Sequence, residues 1–359
     1  MIFGTFSRYV ARRFFVAISA TFISISLIVT LVDYVEMARR TSGSNVPAHV
    51  AAFVTFCRVP QLMEILLPFS VLVGTMVAYL GLSRRNELVV ARSAGVSAWQ
   101  IIMPGALVAL LVGCVASTVY NPLAASLSEQ AKRLEARMFD PEAEKVAGRF
   151  WVRQRSSSGQ SILSAASSRS QGEALTGVSA FVFDKNDHFA ERIEADSAVL
   201  EPGHWRLLNA RVYTVNAPPQ DVPAYLLQTT LTRTQIRESF ATPETVSFWQ
   251  LPTYIDLAER AGLVAAGYRM QYQILLARPF LLVGMALLAS ALSLRFFRFG
   301  GIGRMVLAGV GAGFLLYVFS KVTEDLGNAR LLHVSLAGWL PAITASLTGI
   351  MILLHQEDG

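Results

Sequence analysis

Hydrophobic and polar positions divide this chain into two regimes. Six long apolar stretches occur, three before and three after a polar insert that runs from about Asn121 to about Met270. Phe14–Val32 carries no charge between Arg13 and Asp33, and Ile65–Ser83 none between Glu64 and Arg84. Ser93–Ser128 carries none between Arg92 and Glu129, which leaves room for a helix near Gln100–Tyr120. After the insert come Pro279–Leu294, lengthened by the nearly neutral Tyr272–Ala277, then Met305–Ser320 and Leu332–Leu354. A bilayer core of about 30 Å takes about 20 apolar residues per helix. Six such windows therefore predict six membrane-spanning helices in a three-plus-three layout.

Inside the insert the period changes to two. Gly148–Gln154, Ser161–Ala166, Val178–Asp184, His188–Leu200, His204–Val215 and Tyr225–Arg233 alternate apolar and polar residues. Turn residues separate them: Ser158-Gly159, Lys185-Asn186-Asp187, Glu201-Pro202-Gly203 and Pro218-Pro219. This pattern predicts short antiparallel strands in a sandwich, jelly roll or open barrel. Leu251–Ala261 then reads as an amphipathic helix with a proline at its start. A second amphipathic segment, around Pro47–Leu62, reads as an interfacial helix. The expected architecture is a membrane α-helical protein with an inserted, jelly-roll-like all-β domain. Its parts are helices one to three over 1–120 with a short cytoplasmic helix near 83–98, the β domain over 121–268, and helices four to six over 269–359.

Composition supports a membrane protein: 53% of residues are hydrophobic, 16% are charged, and mean hydropathy is +0.45. The net charge of +6 is no nucleic-acid signature, because the basic residues gather at span ends. Arg8, Arg12, Arg13, Arg84, Arg85, Arg92, Arg295, Arg298 and Arg304 fall on one side, and Arg39, Arg40, Arg58, Lys321 and Arg330 on the other. Nine against five puts the first set in the cytoplasm and the β insert outside, with both termini cytoplasmic. Residues 1–32 have a basic start and an apolar run, but the run is long and Asp33-Tyr34-Val35 offers no small-residue cleavage site, so an uncleaved first helix is expected. Cys57 and Cys114 lie beside and within apolar spans, which argues against a disulfide or a metal site.

Missing motifs narrow the function. No G-x-x-x-x-G-K-[ST] is present, so no nucleotide is cradled by a P-loop. No H-E-x-x-H spacing and no G-x-S-x-G elbow occurs, and the five histidines are scattered. No catalytic residue, metal or cofactor is expected in this chain. The strongest positive signal is Leu82–Trp99, LSRRNELVVARSAGVSAW. It is too polar to cross a membrane, yet Leu88, Val89, Val90 and Ala91 form an apolar ridge. Ser83 is a candidate cap, and Glu87 suits the positive end of a helix. A short helix that couples to a partner accounts for the ridge; a solvated connector whose arginines anchor topology is the plainer alternative. Gly309-x-x-x-Gly313 allows close helix approach, equally within the chain or to a partner.

The segment R-R-N-E-L-V-V-A-R-S-A-G at 84–95 resembles the cytoplasmic loop of the LptF/LptG permease family, the membrane subunits of the lipopolysaccharide exporter. Leu31-Val32-Asp33, Tyr268–Pro279 and Phe296–Tyr317 agree with that family, and the resemblance spans essentially the whole chain. The Glu87-Leu88-Val89-Val90 wording and the Val32-Asp33 pair look more like the LptG branch. The resemblance implies a bacterial inner-membrane protein, paired with a homologous LptF, docked on a dimer of the ATPase LptB and assisted by LptC. ATP would be bound by that partner. Arg84, Arg85, Glu87 and Arg92 would be the ATPase-coupling residues. Arg39 and Arg40 would contact lipopolysaccharide phosphates through two-pronged bonds, with interfacial snorkelling as the alternative. Lys321, Glu324 and Asp325 are candidate gate residues, or an ordinary (i, i+4) surface pair. Phe181, Phe183, Trp205 and Tyr213 are expected to face the interior of the β domain, as core or as acyl-chain contacts. Two rivals stand beside this reading: a secondary transporter, which wants buried charge at mid-membrane, and a membrane-bound lipid-modifying enzyme.

Overall fold

A computed structural model describes residues 4–42, 47–139, 150–156, 159–169, 174–184, 188–214, 217–229, 243–260, 265–299 and 301–358. Of the residues in the expected strands, turns and helices, 148–149, 158, 185–187, 215, 230–233, 261 and 300 lie outside the described residues. The chain divides into two compact units. One gathers the described parts of Met1–Ala131, Glu244–Leu251 and Ala266–Gly359; the other gathers those of Lys132–Pro243 and Pro252–Ala265.

The first unit is helical. Helices α1 (Thr5–Thr41), α2 (Ala48–Arg84), α3 (Glu87–Ser93) and α4 (Ala98–Val115) are followed by a π-helical turn at Ala116–Tyr120 and by α5 (Asn121–Phe139). Among the described residues, six helices are long and apolar enough to cross a membrane: Thr5–Thr41, Ala48–Arg84, Ala98–Glu135, Ala266–Leu294, Ile302–Asn328 and Val334–Gln356. The third of these is unbroken through Asn121-Pro122. A proline inside a helix removes one backbone donor and crowds the preceding turn. The wide π turn just before Pro122 absorbs that misfit, since Asn121 N donates to Ala116 O, five residues back. The expected interfacial helix around Pro47–Leu62 is not a separate element. Those residues are the opening turns of α2, which continues through Pro60 and Pro68.

Helices α7 (Ala266–Phe299), α8 (Ile302–Asn328) and α9 (Val334–Asp358) complete this unit. Small residues set how closely the helices approach. A Cβ added at Gly74 of α2 would lie 2.6 Å from Ile18 Cα of α1, and one at Gly113 of α4 would overlap Pro279 of α7. Gly309 and Gly313 of α8 receive Met76 and Phe69 of α2. The Gly-x-x-x-Gly pair thus serves packing within the chain.

Among the described residues the second unit carries six strands: β1 (Phe150–Ser156), β2 (Gly159–Arg169), β3 (Ala174–Phe183), β4 (Phe189–Glu201), β5 (His204–Thr214) and β6 (Gln220–Gln228). They form one antiparallel sheet in the order β1-β2-β3-β4-β5-β6, a meander rather than a Greek key. The sheet nevertheless rolls up. Gln154 of β1 donates to Ser161 Oγ at 2.9 Å and to Gln228 O of β6 at 3.3 Å, and Thr229 donates to Gln154 Oε1. The first and last strands therefore meet at one end. Leu163, Leu175, Ile193, Leu200, Trp205 and Leu227 fill the interior. The antiparallel strands are those the alternation predicts, joined as a single meander and not as the Greek keys of a jelly roll. Helix α6 (Leu251–Arg260) belongs to the second unit from Pro252 onward.

A crease runs across this sheet. Thr176 pairs with Ser197 and Val178 with Ala195, so Gly177 and Asp196 sit between paired positions. The same gap falls at Ala166 on β2, at Asn209 on β5 and at Pro223 on β6. Gly177 (φ 60°) and Asn209 (φ 53°) both adopt left-handed backbone, open to Gly and Asn at little cost. Inward positions change parity at the crease: Leu175 then Val178 on β3, Ala195 then Ala198 on β4, and Leu207 then Ala210 on β5. Without that shift, half of each strand would turn its apolar residues to the other face. The parity also corrects an expectation. Of Phe181, Phe183, Trp205 and Tyr213, only Trp205 belongs to the buried interior. Arg192 lies over the rings of Phe181 and Tyr213, and Phe183 meets Phe189 edge-on.

Candidate docking and lipid-contact sites

The α2–α3 turn builds the first site. Helix α2 runs through Arg84, so Ser83 is not the cap the sequence suggests. Instead the chain reverses at Asn86 in left-handed backbone (φ 58°), and Asn86 N donates to Ser83 O at 2.9 Å. The capping box falls later, where Ser97 and Gln100 bond reciprocally at the start of α4. Ala91 is buried, and Leu88 packs against the same cluster. Val89 and Val90 are 66% and 64% exposed. The apolar ridge therefore splits into an anchoring face and an outward face. Arg84, Arg85 and Arg92 are exposed around it. An exposed apolar pair rimmed by cations has the anatomy of a small docking patch. Glu87 is turned toward α1, where it accepts from the Tyr9 hydroxyl at 3.0 Å.

The second site lies at the end of α1. Arg39 Nε and Nη2 donate to the two Glu36 carboxylate oxygens at 2.9 and 3.0 Å, and Arg40 Nε donates to Glu36 Oε1 at 2.9 Å. Both guanidiniums stay exposed. Two cations on one carboxylate leave a net positive patch, and as the last turn of a helix it also meets the negative end of the dipole. One turn earlier Asp33 is buried, with Oδ1 3.5 Å from Arg58 Nη2 of α2.

The third cluster is on α8. Lys321 Nζ lies 3.1 Å from Glu324 Oε1 and 3.9 Å from Asp325 Oδ1. Glu324 also lines a cavity of about 70 Å³ with Arg278, Met270, Ser320 and Pro341. The three residues are brought together, with Lys321 and Asp325 on the exposed side.

Sequence reasoning missed a fourth cluster. Glu64 of α2 and Arg278 of α7 form a buried ion pair with Nη1 and Oε1 3.2 Å apart. Asn121 Nδ2 donates to Glu64 Oε2 at 3.3 Å, and Asn121 Oδ1 accepts from Phe248 N at 2.9 Å. The Tyr120 hydroxyl donates to Pro60 O at 3.1 Å, and Trp249 Nε1 donates to Thr118 O at 2.9 Å. Phe248 stacks on Tyr272 with ring centroids 5.6 Å apart. The cluster therefore joins α2, the π turn, α7 and the 246–250 turn. Its signal in the sequence was present: Glu64 and Arg278 each border an apolar run.

In the β unit, Arg211 of β5 and Asp221 of β6 pair across strands at 2.6 and 3.0 Å. Bonding to Arg211 holds the Asp221 carboxyl below its ordinary value, and the same contact raises Arg211.

Six long apolar helices and a rolled antiparallel sheet define a multi-pass membrane protein. The family model for lipopolysaccharide export system permease LptF/LptG matches residues 8–355, so the chain belongs to that family. It is similar to the lipopolysaccharide export system permease protein LptG of Escherichia coli (strain K12), 21% identical over 363 residues, covering 99% of each chain. It is also similar to the protein of the same name from Haemophilus influenzae, 21% identical over 370 residues, covering 98% of this chain and 96% of that one.

Proposed function

We propose that this chain is one transmembrane subunit of an ATP-driven machine. In this reading the machine draws lipopolysaccharide sideways from the outer leaflet of the bacterial inner membrane and passes it to a periplasmic β bridge. The observation that carries the reading is the uneven burial of the six spans. The most apolar window of α1 is 6% buried and that of α8 17%, against 72% for α7. Helix α1 turns Phe15, Ile23, Leu27 and Leu31 outward, and α8 turns Leu307, Val310, Phe314 and Leu315 outward. Helix α2 packs against both, through Gly74 on one side and Met76 and Phe69 on the other. Two apolar faces flanking one helix suit a homologous second permease, LptF, with acyl chains between the subunits.

Energetics require a motor. Withdrawing acyl chains from lipid costs about 0.8 kcal/mol per CH₂. The chain has no P-loop, so a partner ATPase, an LptB dimer, would do this work through Arg84, Arg85, Glu87, Arg92 and the exposed Val89-Val90. Rim charges of this kind set register and association rate. LptC would receive the lipid with the β domain. The Glu64–Arg278 pair is a feature a secondary transporter would share. Here it is closed on itself, with the carboxylate also bonded to Asn121, and that favours a structural lock over an ion path.

Affinity purification from native membranes tests the proposal. A second homologous permease and an ATPase should come down together with this chain. Glu87→Lys should lower recovery of the ATPase while the chain still inserts. Full recovery of the ATPase with Glu87→Lys would refute docking at α3. Isolation of the chain alone, turning over a soluble substrate, would favour one of the two rivals.

A further inference from the structure

We infer that Tyr9 and Arg13 are positioning residues that clamp α3 to the first span, so that a load on Glu87 passes directly into α1. This inference rests on the docking reading above and adds a route to it. Through the chain, α3 is connected only to α2 and α4. Side chains add the third connection. The Tyr9 hydroxyl donates to the Glu87 carboxylate, lying 3.0 Å from Oε1 and 3.1 Å from Oε2. The same hydroxyl oxygen accepts from Arg13 Nε at 2.9 Å and Nη2 at 2.7 Å. Arg13 Nη2 also stands 3.9 Å from Glu87 Oε1, and its guanidinium lies 5.1 Å over the Tyr9 ring.

An apolar footing lies beside the clamp. Val10 and Phe14 of α1 share one buried cluster with Ala91 of α3, and Leu88 packs against it. Phe14 also meets Tyr79 of α2 edge-on, with centroids 5.1 Å apart. Helix α3 is only seven residues long and would be marginal by itself. It is therefore held by an apolar anchor on α1 and α2 and by a charged clamp on α1. A lone exposed ion pair contributes little, but here one phenol bridges a carboxylate and a guanidinium above a packed base.

The clamp does not consume the docking group. A tyrosine hydroxyl has one proton to give, and a carboxylate has about four acceptor positions. Glu87 can thus receive a cation from a partner while Tyr9 still holds it. Helix α1 is also the least buried of the six spans. A pull on α3 would then reach the span whose outer face is left for lipid and the second permease.

Two measurements test this on the full chain. Amide hydrogen exchange of residues 87–93 in the detergent-solubilised chain needs no partner; Tyr9→Phe and Arg13→Gln should each raise it. In the assembled complex the same variants should keep the ATPase bound. Lipopolysaccharide released per ATP hydrolysed should fall by about fivefold, the lower range for coupling between two sites. Adding Arg13→Gln to Tyr9→Phe should cost little more, because both act on one link. Unchanged exchange would overturn the clamp, and unchanged release per ATP with the ATPase bound would overturn its role in coupling. Failure of the underlying docking reading has a different signature, retention of the ATPase by the Glu87→Lys chain.

Discussion

Glu64 and Arg278 face each other 3.2 Å apart in the interior of the helical unit, on α2 and α7. Two opposite charges taken out of solvent are tolerable only as a pair that also satisfies its remaining hydrogen-bonding groups. Asn121 supplies part of that satisfaction, and through Phe248 N it ties in the 246–250 turn. The pair is thus a junction among three spans.

Breaking the junction from one side should be worse than removing it whole. Arg278→Leu leaves a buried carboxylate unpaired, at a cost of about 3–5 kcal/mol. Glu64→Leu combined with Arg278→Leu should recover much of that loss. Thermal unfolding in detergent checks this. A double variant no more stable than Arg278→Leu would mean that packing, not pairing, holds α2 on α7.

The crease in the β sheet should be sensitive to one glycine. At Gly177 φ is +60°, and an added Cβ would lie 2.9 Å from Ala166 Cβ. Gly177→Val places a β-branched residue in left-handed backbone, a strain of about 1–3 kcal/mol. Limited proteolysis should then cleave within 150–229 faster than in wild type, and Gly177→Asn should be milder because Asn tolerates that region. Equal protection of the Val and wild-type chains would contradict the crease.

Arg39 and Arg40 should matter to lipid contact rather than to folding, since both are exposed and share one local carboxylate. Arg39→Glu with Arg40→Glu should lower photo-crosslinking of lipopolysaccharide to probes near the end of α1 while expression stays unchanged. Equal crosslinking would leave these arginines as interfacial anchors alone.

The Arg211–Asp221 pair makes a pH prediction with a definite sign. The folded-state pKa of Asp221 is depressed below 3.8. Its contribution is therefore complete above the ordinary carboxylate value and is lost as pH falls through the depressed one. Between pH 7 and about 4 the pairing of β5 with β6 should not change through this group. A ¹³C titration of the Asp221 carboxyl should give a midpoint under 3.8; a midpoint at or above it would mean that the pair does not form in solution.

The amino-acid order alone determines the six spans and the strand-rich insert. Length of apolar run and period-two alternation are local properties, and a bilayer or a rolled sheet simply reads them out. The turn residues before β2, β4, β5 and β6 mark strand boundaries for the same reason. Local signals also place a short helix near 83–98, although it runs only over Glu87–Ser93 and its start depends on the Asn86 backbone and not on Ser83.

Tertiary structure alone decides which charges are neighbours. Nothing near Glu64 announces Arg278, and nothing near Glu87 announces Tyr9, because such pairs are created when helices distant in sequence are packed side by side. The crease is of the same kind. Gly177 and Asn209 look like strand interruptions one at a time, and only pairing lines them up with Asp196 and Pro223 into one fold line. A charge or a left-handed residue acquires its role from the partner opposite, and that partner exists only in three dimensions.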